Sequence, residues 1–113
     1  MSTLSSHVLD TASGRPARGV PVRLSGLDAG GEWKTLADAV TDDDGRVRRL
    51  SPEGPLAAGT YRVTFDTRTY LEAAGRPVFY PRVDVVFVVG PGAEHYHVPL
   101  ILSPFGYSTY RGS

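Results

Sequence analysis

A chain of 113 residues, 41% hydrophobic and 21% charged, is long enough to bury a core of its own and predicts a single domain over residues 1–113. Twelve basic and twelve acidic side chains cancel to zero net charge, so no long-range field recruits nucleic acid or an anionic membrane surface. The lack of cysteine removes a disulfide framework, a thiolate nucleophile and cysteine-ligated zinc, and suits a reducing cytoplasm.

The first seven residues, Met1 to His7, carry neither the basic nor the apolar stretch of a secretory signal, and no apolar run approaches the ~20 residues of a membrane span. Arg111-Gly112-Ser113 is unlike the peroxisomal Ser-Lys-Leu address. The expectation is a cytoplasmic protein with no membrane partner.

Thirteen glycines and nine prolines divide the chain into short segments that alternate apolar and polar positions, the pattern of a β-sandwich. Val20, Val22 and Leu24 fall on one face of the first such run. A turn is expected at Ala29-Gly30-Gly31 and another at Asp44-Gly45. Tyr61, Val63 and Phe65 share the face of the next strand. A single short helix is predicted over Thr67–Ala74, capped by Asp66 or Thr67, ended by Gly75 and blocked by Pro77. Val83, Val85, Phe87 and Val89 mark the most hydrophobic strand, which Gly90-Pro91-Gly92 closes. From His95 to Leu102, Tyr96, Val98, Leu100 and Leu102 form a core face, and His95, His97, Pro99 and Ile101 point the other way. Ser103-Pro104-Phe105-Gly106 is the last turn.

The mixed face of that last long strand directs attention to the histidines. His97 sits where a side chain meets a cavity or an interface. His95 lies nearer the turn, as an exposed or supporting residue. His7, His95 and His97 are also the set from which a three-histidine zinc site would have to be drawn, but their spacing is weak and no carboxylate is placed behind them. Asp42-Asp43-Asp44-Gly45 fails as a calcium loop, because alignment on Gly45 puts Val40 and Ser51 at ligand positions. Ser103, Ser108 and Ser113 lack the elbow motif of a serine hydrolase.

The run His95 to Ser113, ending in Tyr110-Arg111-Gly112-Ser113, resembles the signature of the 5-hydroxyisourate hydrolases, the enzymatic branch of the transthyretin family. His7 to Asp10 with Thr11 to Gly14, Thr41 to Arg46, Gly59 to Tyr61 and Phe79 to Pro81 match the same family in order and spacing. Leu71 and Phe105 are mild departures, at positions where aromatic and tyrosine side chains are common.

The resemblance implies two packed four-stranded sheets with one short helix, a homotetramer with a central channel, and no cofactor. It carries the catalytic roles onto His7, Arg46, His97 and Ser113, and substrate binding onto His7, Arg46 and Tyr110. The expected reaction is hydrolytic ring opening of 5-hydroxyisourate to the ureidoimidazoline OHCU. In this scheme a neutral imidazole, His97 with His7 beside it, activates water, and Arg46 meets the planar ring or the developing oxyanion. The rival expectation is a transthyretin-like tetramer that carries a small aromatic ligand without transforming it.

Overall fold

The computed structural model describes residues 2–52 and 54–113. Its first strand, β1 (Thr3–Asp10), alternates strictly: Leu4, Ser6, Val8 and Asp10 are buried, and Thr3, Ser5, His7 and Leu9 face the other way. The buried hydroxyl of Ser6 is satisfied by donating to the Val98 carbonyl at 2.8 Å.

Two sheets enclose the core. One holds β1 between the short β2 (Arg15–Pro16) and β8 (His95–Ser103), with β9 (Gly106–Thr109) beyond β8; β5 (Arg46–Val47) also pairs with β1. The other runs in the order β4 (Trp33–Val40), β3 (Pro21–Leu27), β6 (Gly59–Phe65), β7 (Val83–Val89). The transthyretin-like sandwich is therefore present, with β5 as a two-residue addition to the first sheet. Between the sheets Leu4, Val8, Leu24, Val63, Phe65 and Leu100 are completely buried. Each such side chain contributes roughly 1.5–3 kcal/mol, a large share of a total stability of about 5–15 kcal/mol.

The pairing that positions the site is parallel. β1 and β8 lie side by side with Thr3 opposite His95, Ser5 opposite His97 and His7 opposite Pro99. In this register the residues that β1 and β8 turn away from the core share one surface. Tyr96, Val98, Leu100 and Leu102 are buried on the core side, as the alternation of the sequence predicts.

The helix α1 (Thr67–Ala73) ends one residue before the sequence expectation, and Ala74 is its cap. Asp66 accepts from the Thr69 amide at 3.1 Å at the start. At the end Gly75 donates to the Glu72 carbonyl and Arg76 to that of Leu71. This closure aims Arg76 at the buried Asp10, which also accepts from the Tyr70 hydroxyl at 2.7 Å. Burial alone would raise the Asp10 carboxyl, but hydrogen bonds from Arg76 and Tyr70 outweigh it and hold it below its ordinary value. The same setting, burial first and Asp10 second, pushes Tyr70 up to about 12.

Leu71 packs inward, and Phe105 stands exposed at the last turn against Phe79, with ring centroids 5.7 Å apart. Strand β4 was not evident in the sequence because most of its side chains are exposed or half-buried, so its apolar alternation is faint. No described helix is long and apolar enough to cross a membrane.

Candidate active site

The turn that precedes β5 is built by its own acidic residues. One carboxylate oxygen of Asp42 accepts from the amides of Asp44 (2.9 Å) and Arg46 (3.0 Å). Those bonds, the one from Arg46 foremost, hold the Asp42 carboxyl below its ordinary range. Gly45 has a φ of +72°, and a Cβ there would stand 2.5 Å from the Val8 carbonyl oxygen. Its close approach lets the Gly45 carbonyl accept from the Val8 amide at 2.8 Å. The turn is thereby pinned to β1, and Arg46 falls directly opposite His7.

His7 Nε2 lies 3.0 Å from the Asp44 carbonyl oxygen. A carbonyl only accepts, so the neutral ring carries its proton on Nε2 and presents a bare Nδ1. The His97 ring stands 6.5 Å from that of His7, centroid to centroid, and its Nδ1 is 2.7 Å from Ser5 Oγ. Both imidazoles titrate below the ordinary 6.5. For His7 the cause is burial and then Arg46, partly opposed by the Asp44 carbonyl and the nearby Asp42 and Asp44 charges. For His97 it is burial, then Arg46, His7 and His95. Two rings so shifted are predominantly neutral at pH 7.

Arg46, His97, Ser5 and Ser113 line a shallow recess of about 180 Å³. Arg48 takes the carboxylates of Asp42 at 3.8 Å and Asp44 at 3.3 Å. The Arg46 guanidinium is thus left without a carboxylate partner among the described residues. Gly112 donates its amide to the His97 carbonyl at 2.8 Å, and a Cβ at that position would lie 2.5 Å from His97 Cδ2. Only glycine lets the chain end pass this close to the imidazole, which brings Ser113 into the recess.

Of the residues singled out in the sequence, Arg46, His97 and Ser113 line this recess, and His7 lies beside it, opposite Arg46 on β1 with its ring 6.5 Å from that of His97. Tyr110 does not. It is 54% exposed and lines a separate apolar hollow of about 270 Å³ with Phe87, Val88 and Tyr96. His95 is exposed, as expected, and contacts Thr3 and Ser5. Sequence reasoning missed Ser5, Gly112 and the carbonyl of Asp44 as parts of the site. The parallel register is what recruits Ser5, and no local signal carries that information. Among the described residues no three His, Asp or Glu side chains gather as a metal-holding group. A larger open groove of about 940 Å³ lies on the outer face of the β3 and β6 sheet, lined by Arg23, Asp38, Arg62 and Asp84, and contains none of the histidines.

Comparison with known proteins gives this arrangement a family. The HIUase/Transthyretin family model matches residues 4–112. The 5-hydroxyisourate hydrolase of Caulobacter vibrioides is 50% identical over 117 residues that span the whole of both chains. A solved structure of Klebsiella pneumoniae 5-hydroxyisourate hydrolase superposes with a TM-score of 0.89 at 43% identity, over the whole of each chain. Sea bream transthyretin in complex with thyroxine superposes with a TM-score of 0.90 at 38% identity, covering 96% of this chain and 93% of that one. The family model covers nearly the whole chain, and the chain belongs to the HIUase/Transthyretin family.

Proposed function

We propose that this chain, read as one domain over residues 1–113, is a 5-hydroxyisourate hydrolase that opens the six-membered ring of its substrate to OHCU. The observation that carries the reading is a polar recess lined by a neutral imidazole, His97, and the unpaired Arg46 guanidinium, with the second neutral imidazole, His7, 6.5 Å from the first. The hydrolases of Caulobacter and Klebsiella, similar over their full lengths, support it.

In the proposed reaction His97 Nε2 takes a proton from water as the water oxygen bonds to the ring carbonyl carbon. The carbonyl electrons move onto oxygen, and the Arg46 fork stabilises that oxyanion or grips the planar ring. Collapse breaks the carbon–nitrogen bond, and the departing nitrogen receives the proton. His7 Nδ1, bare in the tautomer that Asp44 selects, accepts a substrate N–H, and Ser113 supplies a further hydrogen bond.

The recess is shallow and Tyr110 lies outside it, so a closed site with Tyr110 as a binding residue requires a neighbouring copy. A homotetramer with sites opening on a central channel meets that requirement. The second reading, a carrier of a small aromatic ligand, is favoured by the likeness to thyroxine-bound sea bream transthyretin. The polar recess argues against it, because a hormone-sized apolar ring gains little beside a free guanidinium.

The test is an ultraviolet assay in which urate oxidase generates fresh 5-hydroxyisourate and the chelator-treated protein is added. Loss of substrate far above the spontaneous rate supports the hydrolase. Decay at the spontaneous rate, with saturable binding of an iodothyronine, supports the carrier.

A further inference from the structure

The surface shared by β1 and β8 holds a continuous file of hydrogen-bonding groups that leads away from the recess. Ser5 Oγ stands 2.7 Å from His97 Nδ1 and 2.8 Å from His95 Nε2, so one hydroxyl bridges the two imidazoles. His95 Nδ1 is in turn 2.6 Å from Thr3 Oγ1. His95 is exposed, whereas His97 is half-buried. The parallel register makes this possible, because it sets Thr3 opposite His95 and Ser5 opposite His97 along one pleat line.

From the geometry we infer that Ser5, His95 and Thr3 form a proton path joining His97 to solvent, with Ser5 as the bridge and His95 as the solvent-side terminus. The inference rests on the hydrolase reading of the recess.

A serine hydroxyl has one proton, so it donates to one ring and accepts from the other. If His97 Nε2 is to be the base, its Nδ1 bears the proton and donates to Ser5 Oγ. Ser5 then donates to His95 Nε2, and His95 donates from Nδ1 to Thr3 Oγ1. Every contact is satisfied in one direction. When Nε2 takes a proton from water, the Nδ1 proton passes to Ser5, the Ser5 proton passes to His95 Nε2, and His95 releases its Nδ1 proton through Thr3 to solvent. One proton enters and one leaves, and each ring ends in its other tautomer. Delivery of the Nε2 proton to the departing ring nitrogen draws a proton back along the same file and restores the start.

The path has an electrostatic reason. Positive charge on His97 faces Arg46 from β5, His7 from β1 and His95 on its own strand, with Arg48 also lining the recess. Passing the proton on through His95 to solvent takes the charge away from Arg46 and His7 and into water.

Three variants of the intact protein test the path: Ser5→Ala, Ser5→Thr and His95→Gln. Ser5→Ala is expected to lower kcat roughly ten- to a hundredfold with KM little changed, and Ser5→Thr to restore most of the rate. His95→Gln is expected to fall comparably in dilute buffer and to recover with added imidazole. The kcat of the parent protein in mixed light and heavy water should bend as a multi-proton process, and that of Ser5→Ala should be linear. Parent kcat and isotope dependence in both Ser5→Ala and His95→Gln would overturn the path. Nitrogen NMR tests it without substrate: His97 should bear its proton on Nδ1, and Ser5→Ala should shift the ring toward the other tautomer. An Nε2 proton on His97 in the parent protein refutes the path even if the enzyme is active. A parent protein inert toward 5-hydroxyisourate refutes the functional reading, while the tautomers still report on the file.

Discussion

The His7 and His97 rings face each other at 6.5 Å, tilted by 35°, with the Arg46 charge bearing on both. Burial and then Arg46 hold both rings below the ordinary imidazole value, and His7 lowers His97 further.

The acid limb of kcat/KM is therefore expected to have an apparent pKa below 6.5 and to reach its plateau by neutral pH. Arg46→Met removes one of the charges that lower both rings and moves the limb upward. A pH series on the two proteins checks it, and an unmoved limb would separate Arg46 from the titrating groups. Stability follows the same sign: the unfolded rings bind protons more readily than the folded ones, so stability declines as pH falls from 6.5 through the folded values.

Replacing His97 by alanine is expected to lower kcat by roughly 10² to 10⁴, with secondary structure and oligomeric state retained. Circular dichroism and light scattering alongside the ultraviolet assay decide the point. Activity lost only through aggregation would count against a chemical role.

Arg46→Lys keeps the charge and loses the planar fork. A fall of about tenfold or more in kcat/KM is expected, because a point charge cannot reproduce a bidentate grip. Unchanged kinetics would reduce Arg46 to a surface cation.

Gly112→Ala puts a methyl group where His97 Cδ2 already lies, 2.5 Å away. The imidazole or the chain end must move. Since Gly112 is only half-buried near the chain end, kcat should fall far more than the melting temperature. Equal losses in both would show that the residue serves packing alone.

Asp10→Asn leaves Arg76 facing a neutral partner at a 3%-exposed position and is expected to destabilise the fold by about 3 kcal/mol, the low end for a broken buried pair because Arg76 is 27% exposed. Because the Asp10 carboxyl is held below its ordinary 3.8, its contribution is full above that pH and is lost as pH falls through the folded value. Urea titrations at pH 7 and pH 3 measure both effects, and the variant should differ less from the parent at the lower pH.

Much of this arrangement could be read from residue order. The alternation in β3, β6, β7 and β8 gave the sandwich its inner faces, and Asp66 with Gly75 bounded the helix to within a residue. Resemblance supplied His7, Arg46, His97 and Ser113, which the structure gathers. The partners that orient them were not legible. Ser5 reaches His97 only because β1 and β8 pair in parallel, a relation between residues 92 positions apart that no window along the chain contains. The backbone carbonyl of Asp44 fixes the His7 tautomer, and main-chain groups carry no residue-type signal. The placement of Tyr110 beside Phe87 and Val88 depends on how the sheet edges meet, which alternation does not encode.

The parallel contact of β1 with β8 also sets when the molecule becomes competent. Its two strands pair residues 92 positions apart, so their union requires closing a long loop, a slow kind of contact to make. During synthesis β1 is made well before β8 and waits with its β8 edge unpaired until that strand is free. A nascent chain therefore has no complete recess before β8 and the segment after it have been made. In refolding, recovery of catalysis should coincide with the final burial of Tyr96 rather than with the earlier gain of β-structure.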